Sequence, residues 1–375
     1  MAGVHLASLY ESDRNEFNRL IEQVVLPWKE RFRYLLYFTV SQNKSIATHV
    51  MRSMLQGVNR SLLAIELAFI VDVAFERQDP DVAALVRDRI SSEEIELTIG
   101  TYMTAHTVAG YAFIGPHVVE LRIERDCGPT VSLDVAEMIC SMSSLRKVFV
   151  NRAAFHHRFF ETLARKGKES KVQTLWLDGP QFPTPASSHH LAEALCSMPN
   201  LTDLELFGGD LTEEFYSTLK TKASSIQVQT LKLIDITSPT PASLHHLAEA
   251  LCYMPNLTDL KLAMELNEEF YSTLKANASF IQVQALKLDH IQGPTPASSH
   301  HLAEALCYMP NLTDLKLAMK LSEEFYSTLK ANASSIQGCF PQIRKGNFRF
   351  NGVAQDDLNS FLHTLTCLQR SVQYM

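Results

Sequence analysis

The sequence predicts an α/β repeat solenoid, a parallel sheet backed by outer helices and preceded by a small all-α region. Three observations lead there. A block beginning His189-His190-Leu191-Ala192-Glu193-Ala194-Leu195-Cys196 recurs at Leu247 and at Leu302, shifted by 56 and then 55 residues. His246 to Met264 matches His301 to Met319 residue for residue. Leu-x-Leu triplets starting at Leu175, Leu204, Leu231, Leu260, Leu286 and Leu315 are spaced by 29, 27, 29, 26 and 29 residues, so long and short units alternate. Segments copied in series inside one chain are the signature of a repeat architecture.

One unit shows why it repeats. In Leu201-Thr202-Asp203-Leu204-Glu205-Leu206 the leucines point inward from a short strand and the residues between them point out. The helix before it, His189 to Cys196, presents Leu191, Ala194 and Leu195 on one face. Pro199 then ends the helix and turns the chain into the strand. The short unit that follows uses Phe215, Leu219 and Ile226 in the same way. No unit can bury its leucines alone, so stacking supplies the stability. Weaker triplets at Leu97-Thr98-Ile99, Leu121-Arg122-Ile123 and Val148-Phe149-Val150 extend the array to about nine rungs over residues 91–337. Such periods fall in the 20–29-residue range of leucine-rich repeats.

A stack needs closed ends. Residues 1–90 read as helices. Glu16 to Tyr37 carries Phe17, Leu20, Ile21, Val24 and Val25 on an apolar face, with a break expected at Pro27. Ile46 to Leu55 and Leu62 to Phe75 follow, and Asp79-Pro80 opens a helix over Val82 to Ile90. At the other end, residues 338–375 are expected to form a cap. An irregular segment, Gly338 to Phe350, leads to a helix, Asp356 to Leu368, with Leu358, Phe361, Leu362, Leu365 and Leu368 on one stripe.

Composition narrows the function. A net charge of −7 supplies no general basic field, so no nucleic-acid partner is expected. The seven cysteines include no Cys-x-x-Cys pair, and Cys196, Cys252 and Cys307 share one repeat position, as small buried residues of a helix would. Met1 to Arg14 has early charges and no apolar core, which predicts no signal peptide. The run Leu62 to Phe75 is interrupted by Glu66 and Asp72 and is too short to span a bilayer, so no membrane partner is expected. A cytoplasmic location fits these features, and there the sequons at Asn200, Asn256, Asn277, Asn311 and Asn332 would not be glycosylated.

The motif Leu-Ala-Glu-Ala-Leu-Cys-x-Met-Pro-Asn-Leu-Thr-Asp-Leu-x-Leu, in alternating long and short units, resembles the ribonuclease-inhibitor type of leucine-rich repeat. Tyr34 to Phe38, the helix ending Val73 to Gln78, Glu96 to Ile99 and Val119 to Glu124 resemble the region around the start of the repeats in NACHT–LRR (NOD-like) innate immune receptors, the large invertebrate branch above all. The resemblance implies a horseshoe with a concave parallel sheet, and a sensor or autoinhibitory role. It is incomplete. The family's asparagine after each strand is replaced by Pro180, Gly209, Ile236, Glu265, Ile291 and Lys320, so less regular loops are expected there. The sequence holds no Gly-x-x-x-x-Gly-Lys-Ser/Thr phosphate loop and no death-fold domain before residue 11. The chain therefore resembles the C-terminal part of such a receptor or a truncated relative, with a missing upstream nucleotide-binding region as one possible partner.

Three constellations bear on chemistry. The pairs His189-His190, His245-His246 and His300-His301 lie two rungs apart, too far to share one ion. Adjacent helical residues also point in different directions, so solvent-facing histidines are expected and no metal or other cofactor. Cysteines and histidines repeated in phase, and the single His156-His157-Arg158, make no asymmetric catalytic pocket, so no enzyme is expected. Pro183, Pro239 and Pro294 each begin Pro-Thr-Pro loops, with Ser187, Ser243 and Ser298 as expected helix N-caps.

The outward strand residues differ, because one sheet gathers them. Across the rungs they read Arg122, Phe149, Trp176, Glu205, Lys232, Lys261, Lys287 and Lys316. A neighbouring column carries Asp203, Asp259 and Asp314, alternating with Thr174, Thr230 and Ala285. Weak pairing on a solvated face accounts for the lysines and aspartates. Two aromatic residues on that face point instead to a protein partner on the concave sheet. The expected function is non-enzymatic protein binding. The alternatives are a ribonuclease-inhibitor-like scaffold, a ubiquitin-ligase substrate adaptor, or a truncated product with no role of its own.

Overall fold

The computed structural model describes residues 2–56, 64–90, 95–100, 103–115, 117–124, 126–180, 182, 184–237, 240–289, 295–319, 321–332 and 345–348. Six α-helices precede the first strand: α1 (Ala2–Ser12), α2 (Arg14–Leu20), α3 (Arg33–Gln42), α4 (Lys44–Gln56), α5 (Ala64–Phe75) and α6 (Pro80–Ile90). The helix expected over Glu16 to Tyr37 is broken more thoroughly than Pro27 alone suggests. After Leu20 the chain widens into a π turn, Ile21–Val25, then tightens into a 3₁₀ turn, Leu26–Trp28. Phe17, Ile21 and Val25 are buried as expected, whereas Val24 is exposed, because the widened turn rotates it off the apolar face. Asp79 caps α6 as expected, its carboxylate accepting from the N–H groups of Asp81 and Val82 at 2.9 and 3.3 Å. Helix α5 is buried along most of its length, and no helix of the described residues is long and apolar enough to cross a membrane.

Beyond it, strands and helices alternate. The strands are β1 (Ile95–Ile99), β2 (Val118–Ile123), β3 (Lys147–Asn151), β4 (Thr174–Asp178), β5 (Asp203–Phe207), β6 (Thr230–Ile234), β7 (Asp259–Ala263), β8 (Ala285–Asp289), β9 (Asp314–Ala318) and β10 (Lys345–Phe348). They form one sheet in sequence order, with every pairing parallel. The first nine coincide with the expected rungs. The tenth lies inside the segment expected to be irregular, so the sheet continues one strand further; the expected cap helix, Asp356 to Leu368, lies outside the described residues.

The helices between strands are α7 (Ala105–Ile114), α8 (Pro129–Ser141), α9 (His157–Lys166), α10 (Pro185–Ser197), α11 (Glu213–Lys222), α12 (Pro241–Tyr253), α13 (Glu268–Ala276) and α14 (Pro296–Tyr308), with α15 (Glu323–Asn332) following β9. The strand leucines and Leu191, Ala194, Leu195, Phe215, Leu219 and Ile226 are all at most 5% exposed, so one continuous core runs between sheet and helices. Cys252 and Cys307 are buried with them, while Cys196 is only partly covered.

Two local expectations need correction. Helices α10, α12 and α14 begin earlier than expected, because Thr184, Thr240 and Thr295 take the N-cap position and a proline follows at the first helical position. Thr240 and Thr295 accept from the N–H groups of Ser243 and Ser298 at 3.1 Å. Ser187, Ser243 and Ser298 are therefore buried third residues of the helices, with hydroxyls 2.9, 2.9 and 3.0 Å from the threonines, and not the caps. The second correction concerns the loops after the strands, which stay regular over four rungs without the asparagine. Arg152, Gly179, Gly208 and Asp235 all adopt left-handed φ values of 49°, 56°, 67° and 51°. Their N–H groups donate to the carbonyls of Asp178, Phe207, Ile234 and Ala263 in the next strand at 2.7, 2.6, 2.8 and 2.7 Å. Main chain thus satisfies main chain in loops that were expected to be less regular.

Candidate functional site

Parallel register places the outward residues in one column. Arg122 pairs with Phe149, Phe149 with Trp176, Trp176 with Glu205, and Glu205 with Lys232. Lys261, Lys287 and Lys316 continue the line. Asp203, Asp259 and Asp314 fall in the neighbouring column, opposite Thr174, Thr230 and Ala285. Every predicted site residue therefore lies on the sheet face turned away from the helices, but they make two unlike groups.

The first group surrounds a depression of about 500 Å³, lined by Arg122, Phe149, Thr174, Trp176, Asp203, Glu205 and Lys232 among others. Phe149 and Trp176 meet edge to face, with ring centroids 5.9 Å apart and planes at 64°. The Arg122 guanidinium sits 4.8 Å from the centre of the Phe149 ring, an attractive cation–π placement. It is steered there by Glu120, which is 7% exposed, lies 2.5 Å from it and is itself 3.9 Å from the Lys147 ammonium. On the far side, Glu205 accepts from Lys232 at 3.0 Å, and Asp203 accepts from the Thr202 hydroxyl at 2.7 Å. Both rings are only half-buried. The depression thus offers apolar ring surface between a cation and a pair of carboxylates.

The second group is held by acids. Asp289, 7% exposed, lies 3.8 Å from Lys261 and 3.5 Å from Lys316, while Lys287 is 3.8 Å from Asp259. Glu120 and Asp289 were not among the expected site residues. Asp289 had a signal in the sequence: it follows the second strand leucine where neighbouring rungs carry Phe207, Ile234, Ala263 and Ala318. Glu120 had none, since it precedes an ordinary strand triplet.

The histidine pairs depart from expectation. Each ring of a pair turns toward the glutamate one turn along the same helix, bringing His189, His190 and Glu193 together, and likewise His245, His246 and Glu249, and His300, His301 and Glu304. Adjacent residues diverge at the backbone, but positions i and i+1 are both within a turn of i+4, so long side chains converge there. Set against known proteins, the sequence matches no family model, and no curated protein matches it significantly.

Proposed function

We propose that this chain is a non-enzymatic leucine-rich-repeat protein that binds a protein partner on the concave face of a horseshoe-shaped sheet. The observation that carries this reading is the depression holding Phe149 and Trp176, partly exposed aromatics that meet edge to face between charged side chains on the outward sheet face. Large apolar rings next to fixed charges are the residues that anchor interfaces. The ten parallel strands in chain order, with helices on one side, support the repeat assignment. Similarity of the repeat motif and of the preceding helices to NACHT–LRR receptors suggests the setting: a cytoplasmic innate immune protein in which this part senses or restrains, and a nucleotide-binding region supplies the NTPase. Arg122, Glu205 and Lys232 would then set which partner charges are accepted.

The test uses binders selected from a peptide display library against the full chain. The Phe149→Ala, Trp176→Ala double variant is expected to lose at least ~30-fold in affinity, the ~2 kcal/mol of a hot-spot pair. Circular dichroism should show the double variant still folded, because both rings lie on the outward sheet face and not in the core between sheet and helices. Unchanged affinity in a folded double variant sinks the assignment.

A further inference from the structure

The three His-His-x-x-Glu clusters lie on the helical side of the array, away from the depression, and the binding function leaves them unexplained. In the first, His189 Nε2 is 3.6 Å and His190 Nδ1 3.3 Å from the same oxygen, Glu193 Oε2. All three donor atoms lie within 4.8 Å of one another. Zinc binds nitrogen at 2.0–2.1 Å and carboxylate oxygen at 2.0–2.2 Å, so tetrahedral ligand atoms stand about 3.4 Å apart. The separations found are already close to that.

The ring of His189 is held from behind. Its Nδ1 lies 2.8 Å from the Thr218 hydroxyl on α11. That hydroxyl donates its own hydrogen to the Glu214 carbonyl at 2.7 Å, so it can only accept from the ring. Nδ1 therefore carries a hydrogen, and in the neutral ring the Nε2 lone pair faces a carboxylate. That leaves Nε2 free to act as a ligand atom beside the carboxylate oxygen. A hydrogen bond to the second ring nitrogen is also how metal-binding histidines are ordinarily oriented. The same threonine contact recurs at His245–Thr273, 2.8 Å, and His300–Thr328, 2.6 Å.

We propose that His189, His190 and Glu193 form a binding site for a divalent transition-metal ion of the zinc type, with weaker copies at His245, His246, Glu249 and at His300, His301, Glu304. Two nitrogens and one carboxylate oxygen fill three tetrahedral positions and leave the fourth to water. The copies differ in one respect that ranks them. Lys222 holds Glu193 by the other oxygen, Oε1, at 3.2 Å, so Oε2 stays open. Lys220 and Lys275 instead sit on the Oε2 atoms of Glu249 and Glu304, where they compete with a metal.

The test is a calorimetric titration of the metal-stripped full chain with Zn(II) at neutral pH. Saturable binding is expected, with the tightest class lost in the His190→Ala, Glu193→Gln variant and weakened ~10–100-fold by Thr218→Val, which removes the hydroxyl behind the ring and none of the three ligand atoms. Circular dichroism confirms that the variants fold. Absence of saturable Zn(II) binding by the native chain overturns the proposal, as does native affinity in the folded double variant. If the double variant does not fold, Co(II) absorption of the native chain decides. Tetrahedral bands without sulfur charge transfer support the histidine–carboxylate site, while thiolate bands or no tetrahedral bands overturn it. Neither result bears on the partner-binding depression.

Discussion

The two ends of the exposed sheet face share a backbone and a core but differ in how their side chains are held. Over β2 to β5 the column reads Arg122, Phe149, Trp176 and Glu205, and the rings leave a depression between them. Over β6 to β9 it reads Lys232, Lys261, Lys287 and Lys316, and acids occupy the gaps, with Asp289 buried between two of the lysines. Four consecutive lysines would repel one another. Asp259 and Asp289 relieve that repulsion locally, which leaves the basic end a nearly compensated surface. The lesson is that a column of like charges is not by itself a binding patch. The end whose rings leave an open depression is the one poised to take a foreign group.

Three substitutions sharpen or break this contrast. The largest effect is expected from Leu262→Ala in β7, whose side chain is fully buried and should cost ~2–5 kcal/mol. Because each rung is stabilised by its neighbours, thermal unfolding followed by circular dichroism should lose both ends together. Separate loss of the lysine end would show that the two ends are independent units. Next, Asp289→Asn should cost ~1 kcal/mol, since it strips the shared carboxylate from Lys261 and Lys316. The loss should shrink at high salt, where the lysines repel each other less; a urea titration at two ionic strengths reads it. The smallest effect is expected from Lys232→Ala, whose partly exposed pair with Glu205 is worth ~0–1 kcal/mol. A drop larger than that of Asp289→Asn would reverse the ranking of the two ends.

Much of the array was legible from residues alone. Strict spacing of Leu204, Leu231, Leu260 and their equivalents gave the strands and their register, since a one-residue slip would turn every leucine to water. The candidate column followed from the same alternation. What stayed hidden was anything decided by three-dimensional competition. Thr240 displaces Ser243 as the cap because Pro241 presets the first helical φ. The loops after the strands stay regular because four residues accept left-handed φ and donate their N–H groups to the next strand. Spacing along the helix brings each histidine pair within reach of its glutamate, but the first ring of each pair is oriented by Thr218, Thr273 or Thr328 on the next helix. No spacing rule within one helix reports a partner on another.

The close match between consecutive copies has a consequence for the length of the array. Cutting anywhere within His246 to Met264 and rejoining at the equivalent point of His301 to Met319 removes 55 residues without creating a new junction. Each remaining helix then meets a neighbour of the kind it already packs against, and two strands leave the sheet together. The lysine column would shorten while the aromatic depression, whose lining ends on β6, the strand just before the cut, kept every residue that lines it. Array length and recognition site are thus separable quantities in this molecule: recombination between copies adjusts the first and leaves the second untouched.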